Sequence, residues 1–187
     1  ATINLNRQLE TDYDHTNGGL VQKVTPLNGV EIANFAMTVD GTTTNRPIMI
    51  VCDLTARLHV HHLYLDGKRK GTRGVDIQRS VYPHVHDIDV HDVADTNADL
   101  TTSEAYLGYG VQTRGCWAAK VEFINGYKNR RTYDCGAGES TFPIERDTRI
   151  HKVQAQYDAA SGCGTHGGAD RTTLTDCTSI LCGGGFS

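Results

Sequence analysis

Apolar residues in this chain come in short runs and alternations, interrupted every few positions by Gly, Asn or Asp. Period-2 patterning of this kind predicts strands. The candidates run from Val30 to Val39, Pro47 to Leu54, Arg57 to Leu65, Val75 to Val81 and His84 to Val93, then from Tyr106 to Val111, Cys116 to Ile124, Arg131 to Cys135 and Arg149 to Tyr157. Asp40-Gly41, Asp66-Gly67 and Asn125-Gly126 read as hairpin punctuation. Helical periodicity is not sustained anywhere. Thr101 to Ala105 is the best helical turn, with Thr101 as its cap. No fixed-period repeat stands out. The prediction is an all-β chain folded as one antiparallel β-sandwich, barrel or β-prism-like domain over 1–187. Residues 1–28 are polar and weakly patterned, and 160–187 form a Gly- and Cys-rich segment with little apolar content.

Composition fits that picture. The 187 residues suit one domain, and 20 glycines favour turns over long helices. A net charge of -4 argues against nucleic acid as partner, because neutralising phosphate requires a basic excess. The one basic run, Lys68-Arg69-Lys70 with Arg73, sits among glycines and reads as a solvated loop. No stretch is long and apolar enough for a membrane span. The start at Ala1 fits a chain whose signal peptide has been removed, and no Asn-x-Ser/Thr acceptor is present.

Six cysteines suggest three disulfides and a secreted protein. One pairing follows from turn geometry. If Asn125-Gly126 is a two-residue hairpin turn, Cys116 and Cys135 lie directly opposite each other. Such a hairpin would place Trp117, Val121 and Phe123 on one face with Lys128, Arg130 and Asp134, a poor core pattern that a longer loop would relieve. Cys52 would then pair with Cys163, Cys177 or Cys182, and the C-terminal loops would be anchored by crosslinks.

Candidate chemistry centres on histidine. His59-x-His61-x-Leu63-x-Leu65 and His84-x-His86-x-Ile88-x-Val90 share one pattern, so each strand would present two imidazoles on a single face. Four such groups could hold zinc, copper or nickel, provided the two strands are parallel neighbours or meet through a Greek key. In a simple antiparallel pair the imidazoles fall at opposite ends, and the alternative reading is solvated, hydrogen-bonded histidine. Asp95, Asn97 and Asp99, with Glu104 beyond, have the alternating oxygen donors of a calcium loop. They lack its Gly and its terminal Glu, so a solvated Asp/Asn turn is the competing reading. Tyr106, Tyr109 and Tyr127 are candidate ligand contacts, since tyrosine offers rigid area with a polar end. Hydrolase, metalloprotease, P-loop and dinucleotide motifs are absent. The resulting expectation is an extracellular protein that binds a carbohydrate or a protein surface. The alternatives are a polysaccharide-acting or metal-dependent enzyme built on the His/Asp-rich 59–99 region, and a subunit that self-associates through strand edges.

Overall fold

The computed structural model describes residues 25–40, 47–70, 72–93, 108–136, 143–166 and 168–186. Strands dominate them, and each pairing that defines the sheets is parallel. The chain winds through successive coils. The first holds β1 (Leu27–Asn28), β2 (Glu31–Thr38) and β3 (Ile48–Asp53), and the second β4 (Thr55–Ala56), β5 (His59–Asp66) and β6 (Arg73–Gln78). The third holds a bridge at Val81, β7 (His84–His91) and β8 (Tyr109–Arg114); the fourth a bridge at Trp117, β9 (Lys120–Tyr127) and β10 (Arg131–Cys135). The fifth holds β11 (Glu145–Arg146), β12 (Arg149–Gln156) and β13 (Ser161–Thr165). The last holds β14 (Ala169–Asp170), β15 (Thr173–Thr175), β16 (Thr178–Ile180) and β17 (Gly184–Phe186).

Stacked coils make three faces. The first is a narrow ladder from β1 and β4 through Val81 and Trp117 to β11 and β14. The second runs β2-β5-β7-β9-β12 and ends on β15 and β16, and the third runs β3-β6-β8-β10-β13-β17. This is a parallel β-solenoid, in which each coil rests on its neighbours.

Register explains the core. On the second face Val60, Val85, Val121 and Ile150 stack inward, and so do Leu63, Ile88, Ile124 and Val153. Ile50, Val75, Val111, Tyr133 and Cys163 meet them from the third face. Gly74 and Gly110 lie side by side on the third face, against Leu65 and Val90 of the second. A Cβ on Gly74 would lie 2.5 Å from the Gly110 carbonyl oxygen, so this position has room only for glycine.

Single left-handed residues bend the chain at matching places. Asn34, His62, Asp87, Phe123 and Lys152 have φ of 64, 52, 52, 53 and 53° and occupy one row of the second face. Two consecutive side chains point outward at each, which breaks strict alternation.

Several expectations are overturned. The sheets are parallel, not antiparallel, so the fold is neither sandwich, barrel nor prism. Asn125-Gly126 is no hairpin turn: both residues lie inside β9, paired with Asp89 and Val90. Gly126 is needed because a Cβ there would overlap the Thr132 side chain. Cys116 and Cys135 therefore do not bond, and Cys52, Cys163, Cys177 and Cys182 are free thiols as well. Cys52, Cys116, Cys135 and Cys163 serve as buried core residues. The C-terminal segment consists of β13 of the fifth coil and β14 to β17 of the last, and is not a set of loops anchored by disulfides. With the crosslinks goes the argument for an oxidising compartment.

Buried polar groups close the corner between the second and third faces. Asn129 accepts from the Val93 N–H (3.0 Å) and donates to the Val90 carbonyl (3.0 Å), tying the fourth coil to the third. One coil further on, Asp158 accepts from the Asn129 N–H (3.0 Å) and from Thr132 Oγ1 (2.8 Å). Burial outweighs these bonds and pushes the Asp158 carboxyl up to about 7. The folded chain thus keeps a proton that the unfolded chain releases near its ordinary value, so stability falls as pH rises from about 4 to about 7. The full cost is roughly 4 kcal/mol. Asp158→Asn should become progressively more stable than wild type across that window, and the gap should level off above it. Urea denaturation at pH 5 and pH 8 measures this; a gap independent of pH would contradict the assignment.

Candidate functional site

The outer side of the second face carries the histidines. Parallel pairing sets His59 beside His84 and His61 beside His86, one coil apart. Their rings stack with centroids 5.1 and 4.9 Å apart, and the diagonal His59–His86 separation is 4.7 Å. His59 Nε2 and His86 Nε2 are 2.6 Å apart. His62 joins from the bend, its Nδ1 2.5 Å from that of His61. The four histidines singled out in the sequence do come together, through the parallel arrangement that the alternation alone did not select.

Carboxylates surround them. Glu31 Oε1 lies 2.8 Å from His61 Nε2, Glu122 Oε2 3.0 Å from His84 Nε2, and Asp87 Oδ2 2.6 Å from His86 Nδ1. Burial and the neighbouring imidazoles of His61, His86 and His84 hold His59 below its usual value. His84 is lowered too, by burial and then by His86 and Lys120, against the pull of Glu122. Burial would raise Glu122, but hydrogen bonds from Lys120 and His84 prevail and lower it. Glu31 and Glu122 escaped notice in the sequence, and Asp87 stood out only as part of the acidic stretch of the 59–99 region, because their relevance depends on which coil stacks on which.

A shallow groove of about 680 Å³ adjoins the cluster. It crosses β2, β5, β7, β9 and β12, and so runs along the solenoid axis. Asn34, His62, Tyr64, Asp87, Asp89, Phe123, Asn125, Lys152 and Gln154 line it. Tyr64 and Phe123 are exposed, at 44% and 42%. Asn125 Nδ2 donates to Asp89 Oδ1 (2.9 Å), and Lys152 Nζ sits 5.1 Å from the centre of the Phe123 ring. An aromatic file continues beside it, with Tyr64–His91, His91–Tyr127 and Tyr127–Tyr157 centroids 5.1, 5.9 and 5.5 Å apart.

The predicted tyrosine contacts separate. Tyr127 belongs to this file. Tyr109 is buried on the third face, where its hydroxyl accepts from Arg130 Nη1 (2.7 Å). Tyr106 and the calcium-loop residues Asp95, Asn97, Asp99 and Glu104 lie outside the described residues. The third face carries a second polar cluster that is internally paired. Arg114 Nε and Nη2 grip buried Asp76 (3.0 and 2.5 Å), while Arg131 Nη1 (2.7 Å) and His166 Nε2 (3.1 Å) flank Asp134 Oδ1.

No family model, no curated protein and no solved structure matches this chain. Fold and surface together define its class: a parallel β-solenoid with a histidine cluster and an axial groove on one face.

Crowded imidazoles resist charging. The lowered values of His59 and His84 mean that the unfolded chain takes up protons first as pH falls, so their contribution to stability is complete above about 6.5 and is lost on acidification. His59→Gln should therefore lose less stability than wild type between pH 7.5 and pH 5.5. Denaturation midpoints at the two pH values test this, and an equal loss in both proteins would refute it.

Proposed function

We propose that this protein binds an extended carbohydrate chain along the groove of its second face. The observation that carries the reading is the direction of the groove, which crosses five successive coils parallel to the solenoid axis. Coils stack about 4.8 Å apart, so the groove offers equivalent positions over roughly 19 Å. That spacing is comparable to the repeat of an extended sugar polymer. The lining suits such a ligand. Tyr64 and Phe123 present exposed rings to the C–H faces of sugars. The amides of Asn34, Asn125 and Gln154 and the carboxylates of Asp87 and Asp89 offer donors and acceptors for hydroxyl groups. A groove this open and polar suits a polymer lying across it better than a small apolar molecule, which needs an enclosed pocket.

The acidic residues in the lining make a neutral glycan preferable to a uronic-acid polymer, although Lys152 supplies one cation. Glycan-array binding of the full chain, followed by calorimetry with the best oligosaccharide, tests the reading. Affinity should rise with chain length up to about four or five sugars. Tyr64→Ala and Phe123→Ala should each weaken binding roughly five- to tenfold. Failure to bind any glycan, or affinity unaffected by both substitutions, would reject it.

A further inference from the structure

The histidine cluster has a chemistry that glycan binding does not use. We propose that His59, His84 and His86 form a binding site for one divalent transition-metal ion of the zinc, nickel and copper class. The proposal does not rest on the carbohydrate reading, although Asp87 borders both sites. It rests on convergence: one ligand atom from each residue lies within 4.8 Å of the others. Glu31, His59 and His61 meet the same limit, so His59 stands at the junction of two donor sets.

The hydrogen-bond pattern locates the ion. Asp87 holds the Nδ1 side of His86, which turns its Nε2 toward Nε2 of His59, 2.6 Å away. Two imidazole nitrogens at that distance can share only one proton, and a cation can take that proton's place with both lone pairs directed at it. Tetrahedral zinc with bonds of about 2.0–2.1 Å needs ligand nitrogens about 3.3 Å apart, so the pair must open by less than 1 Å. A carboxylate on the far nitrogen of a ligating histidine fixes its ring and raises its basicity. Asp87 occupies that position on His86. Glu122 is hydrogen-bonded to Nε2 of His84, leaving the Nδ1 of that ring as its other donor.

Donor type sets the metal. Three imidazoles favour the borderline first-row ions over calcium and magnesium, which prefer oxygen cages. Because His59 belongs to one coil and His84 and His86 to the next, a bound ion also joins β5 to β7.

Titration of the chelator-stripped full chain with zinc chloride alone, followed by calorimetry and by elemental analysis after dialysis, decides the matter. The expected result is one equivalent bound with a Kd below about 10 µM, and no competition from millimolar calcium. His84→Ala and His86→Ala should each lose at least tenfold in affinity, while His166→Ala on the third face should bind like wild type. His84→Gln and His86→Gln, which preserve side-chain bulk, provide the same comparison if an alanine variant folds poorly, with circular dichroism confirming the fold. Cobalt substitution should give the visible absorption of a tetrahedral nitrogen site in wild type and lose it in His86→Gln. No stoichiometric zinc would overturn the proposal, as would binding that survives both His84 and His86 substitutions.

Discussion

Parallel hydrogen bonding between successive coils is the constraint on which everything else depends. A coil donates and accepts along its whole length only if the next one repeats its path, so residues in the same row share direction as well as height. Inward rows become continuous apolar columns, such as Val60, Val85, Val121 and Ile150. Outward rows set residues of successive coils side by side, and the histidine cluster arises where two such rows carry imidazoles in adjacent coils. The left-handed residues follow from the same rule. If one coil bends at His62, its neighbours must bend at Asn34 and Asp87, whatever side chains stand there. Non-glycine residues at positive φ are uncommon and cost energy locally. Here that cost is carried by the hydrogen bonding of entire neighbouring strands.

The interior is not uniformly apolar. Tyr133 donates its hydroxyl hydrogen to Thr113 Oγ1 (2.7 Å), which in turn donates to Glu145 Oε1 (2.5 Å), and Thr148 Oγ1 adds a second bond (2.8 Å). Burial raises the Glu145 carboxyl above its usual value. Together with Asn129 and Asp158, these groups bind particular coils to one another. Apolar columns could slide by a coil without much loss, whereas a buried hydrogen bond has one correct partner. Specific register in this solenoid therefore depends on its few buried polar residues as much as on its valines and isoleucines.

Much of the strand content was legible in the sequence: the predicted Arg131 to Cys135 is β10, and the predicted Arg149 to Tyr157 contains β12. Direction was not. Hairpins and solenoid coils both need short strands separated by polar turns, and Asn125-Gly126 looked like a turn only because its role in packing against Thr132 is invisible from local sequence. The decisive signal was present in a subtler form. His59-Val60-His61-His62-Leu63-Tyr64-Leu65, His84-Val85-His86-Asp87-Ile88-Asp89-Val90 and Arg149-Ile150-His151-Lys152-Val153-Gln154-Ala155 share one broken alternation, with two outward residues before the central apolar one. Their spacing is irregular, so a search for a fixed period passes over them. Reading the doubled outward position as a bend would have made the strands parallel copies and brought His59, His61, His84 and His86 together. Cysteine count misled for a related reason: four of the six thiols are buried core residues, in rows where neighbouring coils carry Ile77 beside Cys52 and Tyr133 beside Cys163.

Unequal intervals between coils have a consequence of their own. Corresponding residues of the second face stand 36 positions apart between His84 and Lys120 but only 24 apart between Arg149 and Thr173. Both intervals close one turn with the same in-register ladder. Only the residues that pair are counted by the fold: the carbonyls of Val93 and Gly108 both accept from the Arg130 N–H, so the chain leaves the ladder and returns to it at one corner. The corner between β7 and β8 is thus the natural place for this architecture to gain or lose sequence. Segments could be exchanged there by recombination while the columns on either side, and the surface they carry, stay in step.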